Sequence, residues 1–280
     1  MARGRSTGAL TALVLGGLLL AGCGATTGRD QPLDDFSAEE IFRRGEFELE
    51  TSRRASRAIR YFSEVERLYP YSQFARRALI MQAFAYHRDR DYEEARAAAQ
   101  RFLDLYPDDE DAAYAQYLLA LSFYDQIDLV GRDQGLTFQA LRALRDVIER
   151  YPDTEYARSS ELKFELAFDH LAAKEMEIGR FYLKQRQYPA AINRFRVVVE
   201  DFQTTTHTPE ALLRLVEAYI GLGLNDEAQT AGAILGHNFQ ASPFYDDAFR
   251  LLTGQGLAPD AAGEGWLRDI FRQTVQGDWL

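Results

Sequence analysis

Five aromatic residues, Tyr69, Tyr106, Tyr151, Phe202 and Phe239, recur along the chain at separations of 37, 45, 51 and 37 residues. Eleven places before each stands an alanine: Ala58, Ala95, Ala140, Ala191 and Ala228. The first three aromatics are followed by proline, at Pro70, Pro107 and Pro152. A period of this length is the strongest constraint the sequence carries. One unit is too small to bury its own apolar face, so units must stack and cover one another in series. A single-core globule does not produce such a recurrence.

Each unit reads as two helices. Ile59, Phe62, Val65 and Tyr69 recur at three- and four-residue steps, as do Leu141, Leu144, Val147, Ile148 and Tyr151. Thr208-Pro209-Glu210 has the order of an N-cap, a first-turn proline and an acidic first turn. The prolines fall just past helix ends, where no hydrogen-bond ladder is broken. The fourth unit is the clearest, with Ile178-Gly179-x-x-Tyr182, then Ala191-x-x-x-Phe195, then Phe202. The first unit has a degenerate first helix. The pattern resembles the tetratricopeptide repeat, in which small residues sit where paired helices approach closely. The expected fold is all-α, a tetratricopeptide-repeat superhelix of about five helix pairs over residues 37–253. Its halves divide at about residue 153, into 37–153 and 154–253.

Two units depart from the period. The third carries surplus residues in 128–135, expected as a loop between its helices. The fourth has no helix breaker between Glu155 and Arg186 other than Gly179. Its first helix should run about 30 residues and 45 Å at 1.5 Å per residue. Such a helix either projects past its neighbours or links the two halves. Residues 254–280 form a Gly-rich tail in which Trp266, Leu267, Ile270 and Phe271 suggest a short amphipathic helix.

Ahead of the repeats, Arg3 and Arg5 precede an apolar stretch from Gly8 to Ala21, shorter than the roughly 20 residues that cross a bilayer. It reads as a secretory signal, residues 1–22. The stretch ends in Leu20-Ala21-Gly22-Cys23, which resembles the bacterial lipoprotein box, with cleavage between Gly22 and Cys23 and a covalent lipid on Cys23. Cys23 is the sole cysteine. Several acyl chains anchor firmly, each buried CH₂ contributing about 0.8 kcal/mol. Gly24 in place of Asp resembles outer-membrane sorting. Residues 23–36 read as lipidated cysteine and tether, and the repeats would face the periplasm.

The chain has 43 acidic and 32 basic residues, a formal charge of −11, and no basic run, which argues against nucleic acid as a partner. The four histidines, His87, His170, His207 and His237, have no metal-ligand spacing. Asp108-Asp109-Glu110-Asp111 lacks the alternating oxygens and glycine of a calcium loop and reads as charge at a helix N-terminus. No phosphate loop, nucleophile elbow or partnered carboxylate pair is visible. The chain is expected not to be an enzyme and to need no cofactor beyond the lipid. Gln203-Thr204-Thr205-Thr206-His207-Thr208 reads as a turn between repeats, its hydroxyls capping helices.

Lipobox, tether and five repeats together resemble the BamD family of lipoproteins in the outer-membrane β-barrel assembly machine. The resemblance is carried by Arg57-Ala58-Ile59-Arg60-Tyr61-Phe62, Ala99-Gln100-Arg101-Phe102-Leu103, Lys174-Glu175-Met176-Glu177-Ile178-Gly179-Arg180-Phe181-Tyr182-Leu183, Ala191-Ile192-Asn193-Arg194-Phe195 and Gln203-Thr204-Thr205-Thr206-His207. It implies a non-enzymatic scaffold at the outer membrane. Its C-terminal repeats would dock the POTRA domains of the barrel-forming subunit BamA, beside other lipoproteins of the complex. Its N-terminal repeats would receive the C-terminal signal of unfolded barrel proteins. By position, Asn193 and Arg194 fall in the docking half, with Arg194 the ion-pairing candidate. Tyr61, Phe62, Tyr69 and Tyr71 fall in the receiving half. Phe62 occupies a core position, and Tyr71, past Pro70, is the freer residue. Tail residues 254–280 have no place in the family pattern. Rival readings are the Tol-associated division coordinator, which carries a coiled coil absent before Ser37, a pilus-assembly lipoprotein, which lacks the long fourth helix, and a cell-wall hydrolase.

Overall fold

A computed structural model describes residues 32–51, 54–260 and 265–276. The signal stretch and the lipobox, with Gly22 and Cys23, lie outside the described residues. Twelve α-helices and no strand are present among the described residues. They pair as α1 (Ala38–Glu50) with α2 (Ala55–Leu68), α3 (Gln73–Arg88) with α4 (Tyr92–Leu105), and α5 (Ala112–Tyr124) with α6 (Gly135–Arg150). The series continues with α7 (Glu155–Lys184) against α8 (Tyr188–Asp201) and α9 (Thr208–Leu222) against α10 (Asn225–Asn238). Helix α11 (Pro243–Gly254) closes the end, and α12 (Trp266–Phe271) follows in the tail. Each helix packs mainly on its sequence neighbours, and first helices also touch the first helices of adjacent pairs. This is a tetratricopeptide superhelix of five helix pairs.

The recurrent alanines and aromatics have one structural role each. Ala58, Ala95, Ala140, Ala191 and Ala228 are all fully buried. Tyr69, Tyr106, Tyr151, Phe202 and Phe239 are the C-caps of α2, α4, α6, α8 and α10. All five share one backbone conformation, with φ near −132° for Tyr69 and −136° for Phe239, and each donates its N–H to the carbonyl four residues earlier. The turn inside a pair repeats as well. Arg90, Arg186 and Gly223 all have positive φ, at 66°, 59° and 74°, five places before the alanine. The next N–H bonds the carbonyl of Tyr86, Tyr182 or Tyr219 at 2.9 Å.

The first pair is more regular than its sequence suggests. Helix α1 is 13 residues long and opens with a capping box, in which Ser37 Oγ accepts from the Glu40 N–H and the Glu40 carboxylate accepts from the Ser37 N–H. A Cβ built at Gly45 would lie 2.6 Å from the buried Phe62 ring, as one at Gly179 would lie 2.4 Å from Phe195. Both glycines let a first helix close onto the aromatic of its second helix. The first helix of the first unit is therefore a regular member and not a degenerate one. Leu33 and Phe36, assigned to the tether by sequence, pack on the first core: Leu33 is buried in a short 3-10 turn, and the Phe36 carbonyl accepts from Tyr69 Oη at 2.7 Å.

The core runs as a series of clusters, and α7 takes part in three of them. Tyr156 and Phe164 face the α5–α6 cluster, Ala167, Phe168 and Leu171 meet Leu141 and Ile127, and Ala172 and Met176 join the C-terminal core. Of the two possibilities for a helix of this length, linkage of the halves is the one adopted. No helix among the described residues is long and apolar enough to cross a membrane.

Candidate interaction surfaces

Helix α7 organises the surface as well as the core. It spans 30 residues, begins at Thr154, whose Oγ accepts from the Ala157 N–H at 3.1 Å, and ends with Lys184 in its last turn. Both termini thus suit the helix dipole and the unpaired end groups. One face carries Ala157, Ser160, Ala167, Leu171, Met176 and Gly179 into the cores. The opposite face leaves Leu162 and Leu166 about two-thirds exposed, at 66% and 63%. Glu161 and Glu165 stand beside them, both exposed.

The α8–α9 turn is held against this helix by one carboxylate. Asp169 accepts from the Thr206 N–H at 3.0 Å and from its hydroxyl at 2.7 Å, and lies 3.3 Å from His207 Nε2. Within the turn, Thr205 and Thr208 donate to the Phe202 carbonyl, and Thr208 also to that of Gln203. The run 203–208 is a turn whose hydroxyls cap the end of α8, as its sequence suggests. Between the turn and α7 lies a cleft of about 620 Å³, walled by Leu162, Phe164, Leu166 and Phe168 and closed by Thr204–Thr206. A second cleft, of about 350 Å³, flanks Leu166 on the side of the long α5–α6 loop, with Tyr124, Ile127, Asp128 and His170 in its walls. The two departures from the repeat period, the inserted loop and the long helix, therefore pack on each other. Sequence periodicity marks both insertions but contains nothing that says they meet.

Arg194 does not stand free. Its guanidinium donates to Glu175 of α7 at 3.0 Å, with the Arg194 side chain 42% exposed. Asn193 beside it is exposed. A second ladder joins α7 to α9, with Arg180 on Glu210 at 3.0 Å and Arg214 bridging Glu210 and Glu217. Burial opposes the charge on Arg214, but its bonds to Glu217 and Glu210 outweigh that and raise its pKa. In the N-terminal half, Tyr71 is wholly exposed in the α2–α3 turn, whereas Tyr61 is half-buried against the first core. Phe62 is fully buried and Tyr69 is engaged with the Phe36 carbonyl, so both serve packing. Tyr71 and Arg194 belong to the first and fourth pairs and form no common site.

Another aromatic group lies where the first half meets α7. Tyr114 and Tyr117 of α5 pack on Tyr156 with ring centroids 5.3 and 5.5 Å away. The Tyr117 hydroxyl shares a 2.7 Å hydrogen bond with Ser159. Burial, reinforced by Tyr156, pushes the Tyr114 phenol up to about 12. Among the described residues no three His, Cys, Asp or Glu side chains come together as a metal site.

Comparison with known proteins assigns this arrangement. The family model YfiO, described as outer membrane lipoprotein, matches residues 34–234, from the packed 3-10 turn into α10. The outer membrane protein assembly factor BamD of Caulobacter vibrioides is 54% identical over 202 residues, which are 72% of this chain and 66% of that protein. The protein of the same name from Rickettsia prowazekii is 40% identical over 243 residues, 87% of this chain and 96% of that one. That of Neisseria meningitidis serogroup A is 31% identical over 247 residues, 84% of this chain and 92% of that protein. All five helix pairs fall within or against the matched residues, and the tail after α11 lies beyond the family match. The chain belongs to the YfiO family of outer membrane lipoproteins.

Proposed function

We propose that the chain is an assembly factor for outer-membrane β-barrel proteins, working as a non-enzymatic scaffold held to the membrane by lipid on Cys23. The reading rests above all on its 40% identity to an assembly factor of which it spans 96%. The anchor places the repeats in the periplasm under the inner leaflet of the outer membrane. The C-terminal half docks the POTRA domains of BamA and sits beside other lipoproteins of the complex. The N-terminal half receives C-terminal segments of unfolded barrel proteins. A solenoid of helix pairs suits this work because it offers an extended surface on rigid elements.

Arg194 carries the docking half of the reading, and its pairing with Glu175 refines it. A half-exposed ion pair contributes little to stability, so the guanidinium can be shared with or surrendered to a carboxylate on a partner. Exposed Asn193 and the adjoining α7 face supply neighbouring contacts. In the receiving half, Tyr71 is an unpacked aromatic available to a peptide, and half-buried Tyr61 on α2 is the second candidate.

The test is a titration of the lipid-free chain with a purified POTRA array, with periplasmic Tol domains as control. Saturable binding to the array alone is expected. Arg194→Gln should weaken it at least tenfold, while Glu175→Gln, which frees the guanidinium, should leave it intact or tighten it. Binding to the Tol domains alone would replace this reading with that of a division coordinator. For the anchor, Cys23→Ser should move the chain from the membrane fraction to the soluble one.

A further inference from the structure

The tail does more than end the chain. Helix α11 already closes the array, lying on α9 and α10 with Ala248 and Leu252 buried. After it the chain turns at Gly256, where φ is +74°, and runs back across α10. Leu257 packs on the C-terminal core, the Ala258 carbonyl accepts from Gln229, and Pro259 lies over Gly232. A second positive-φ glycine, Gly265, opens α12.

Helix α12 is seated in a groove the repeat architecture creates. Successive second helices, such as α8 and α10, do not pack on each other, and the first helix between them forms the floor. Trp266 donates its indole N–H to the Tyr219 hydroxyl of the α9 floor at 3.2 Å. Arg196 of α8 lies over the Trp266 ring at 5.0 Å. Leu267 and Ile270 are 3% and 8% exposed within the C-terminal core. Ile270 and Thr274 share a cleft of about 350 Å³ with Val199, Leu212, Ile234 and Phe239, so the seat is occupied but not filled.

The corresponding groove of the N-terminal half stands open. It is floored by Leu119 and Phe123 of α5, flanked by Phe138 and Arg142 of α6, and has a volume of about 500 Å³. Phe123 holds the same repeat position as Tyr219; here Arg96 of the preceding second helix lies directly over the Phe123 ring at 4.5 Å, whereas in the occupied groove Arg196 lies over Trp266. The array therefore stands with one such groove open, and occupation of the other is a separate event from folding of the repeats. The resident is also weakly held. The six residues of α12 and the π-helical turn Arg272–Gln276 that continues it are too short to be stable on their own, and the helix is entered through the positive-φ Gly265.

We propose that the α8–α10 groove is a helix-binding site and that the tail is its displaceable resident. It exchanges with an external amphipathic helix presenting the same spacing of an aromatic, a leucine and an isoleucine as Trp266, Leu267 and Ile270. The anchor is an aromatic N–H donor that meets Tyr219 under Arg196, in the manner of a central aromatic hot spot. The site shares α8 with the docking half but uses Arg196 and Val199 where docking uses Asn193 and Arg194, and it does not depend on that reading.

Two measurements on the full chain test the proposal. Hydrogen exchange on the unmodified protein should show amides of α12 exchanging at least tenfold faster than those of α9 and α10. Equal protection would make the tail an integral part of the core and overturn the proposal. A labelled synthetic peptide of residues 265–276 is then titrated into the parent and into the double variant Trp266→Ala, Ile270→Ala, with helicity checked by circular dichroism. Saturable binding at least tenfold tighter to the variant is expected, because its groove is vacated. Equal affinity for both proteins, or no binding to the folded variant, would overturn it.

Discussion

A single methyl group discriminates between two kinds of glycine here. At Gly179 it would meet the fully buried Phe195 ring at 2.4 Å, and neither helix of the pair can withdraw without opening the core. Gly179→Ala should destabilise the chain by about 1–3 kcal/mol despite the better helix propensity of alanine. Gly254 faces open space at the end of α11, so Gly254→Ala should be neutral or stabilising by up to about 1 kcal/mol. Opposite signs in denaturant titrations are the expected outcome, and equal signs would refute the steric argument. Tyr114 gives a second residue-level prediction. Its phenol titrates near 12 in the folded chain and near 10 when unfolded, so the unfolded state releases the proton first. The stability it contributes is present below pH 10 and falls as pH rises from 10 toward 12. Tyr114→Phe should therefore shift alkaline unfolding to higher pH, followed by circular dichroism. The buried alanines and capping aromatics were legible as residues because they recur. Gly45 was not, since only its distance to Phe62 shows its role; its spacing, 17 residues before Phe62 against 16 from Gly179 to Phe195, was the available signal.

At the scale of elements, the α8–α9 turn depends on a side chain from another helix. Asp169→Ala removes both hydrogen bonds to Thr206 and the approach of His207, which should cost about 1–3 kcal/mol. Amides 203–207 should lose protection in hydrogen exchange while those of α1–α4 keep theirs; uniform loss would contradict a local latch. The five helix pairs, the long fourth first helix and the inserted loop followed from periodicity, because each repeat buries the same positions; α11, past the last repeat anchor, did not. What periodicity could not supply was contact between elements out of phase with the repeat. The 125–134 loop packing through Ile127 is such a contact; Asp169 reaching Thr206, 37 residues on, and Arg194 pairing with Glu175, 19 residues back, are in phase with the repeat but depend on side chains particular to the fourth unit. The tail was read as a short helix around Trp266, and its seat on Tyr219 and Arg196 required coordinates.

Across the whole molecule, α7 makes two sets of repeats into one body. Near Ala172 it passes from the Ala167–Leu171 cluster to the C-terminal core. Ala172→Pro removes a ladder bond and crowds the preceding turn, at a cost of about 3 kcal/mol or more. Thermal unfolding should then separate into two transitions, resolved by calorimetry, where the parent shows one; a single transition merely shifted down would mean the halves are coupled by other contacts. The uninterrupted helix also sets a distance. With a spacer of about 45 Å that neither stretches nor folds, ligands engaged at the two halves are held at a constant separation, so a linked pair binds with gained avidity only when its own span matches, and a mismatched pair binds no better than its stronger member alone. Linked ligand pairs of graded span should therefore show one optimum length, and equal avidity at every span would refute a fixed separation.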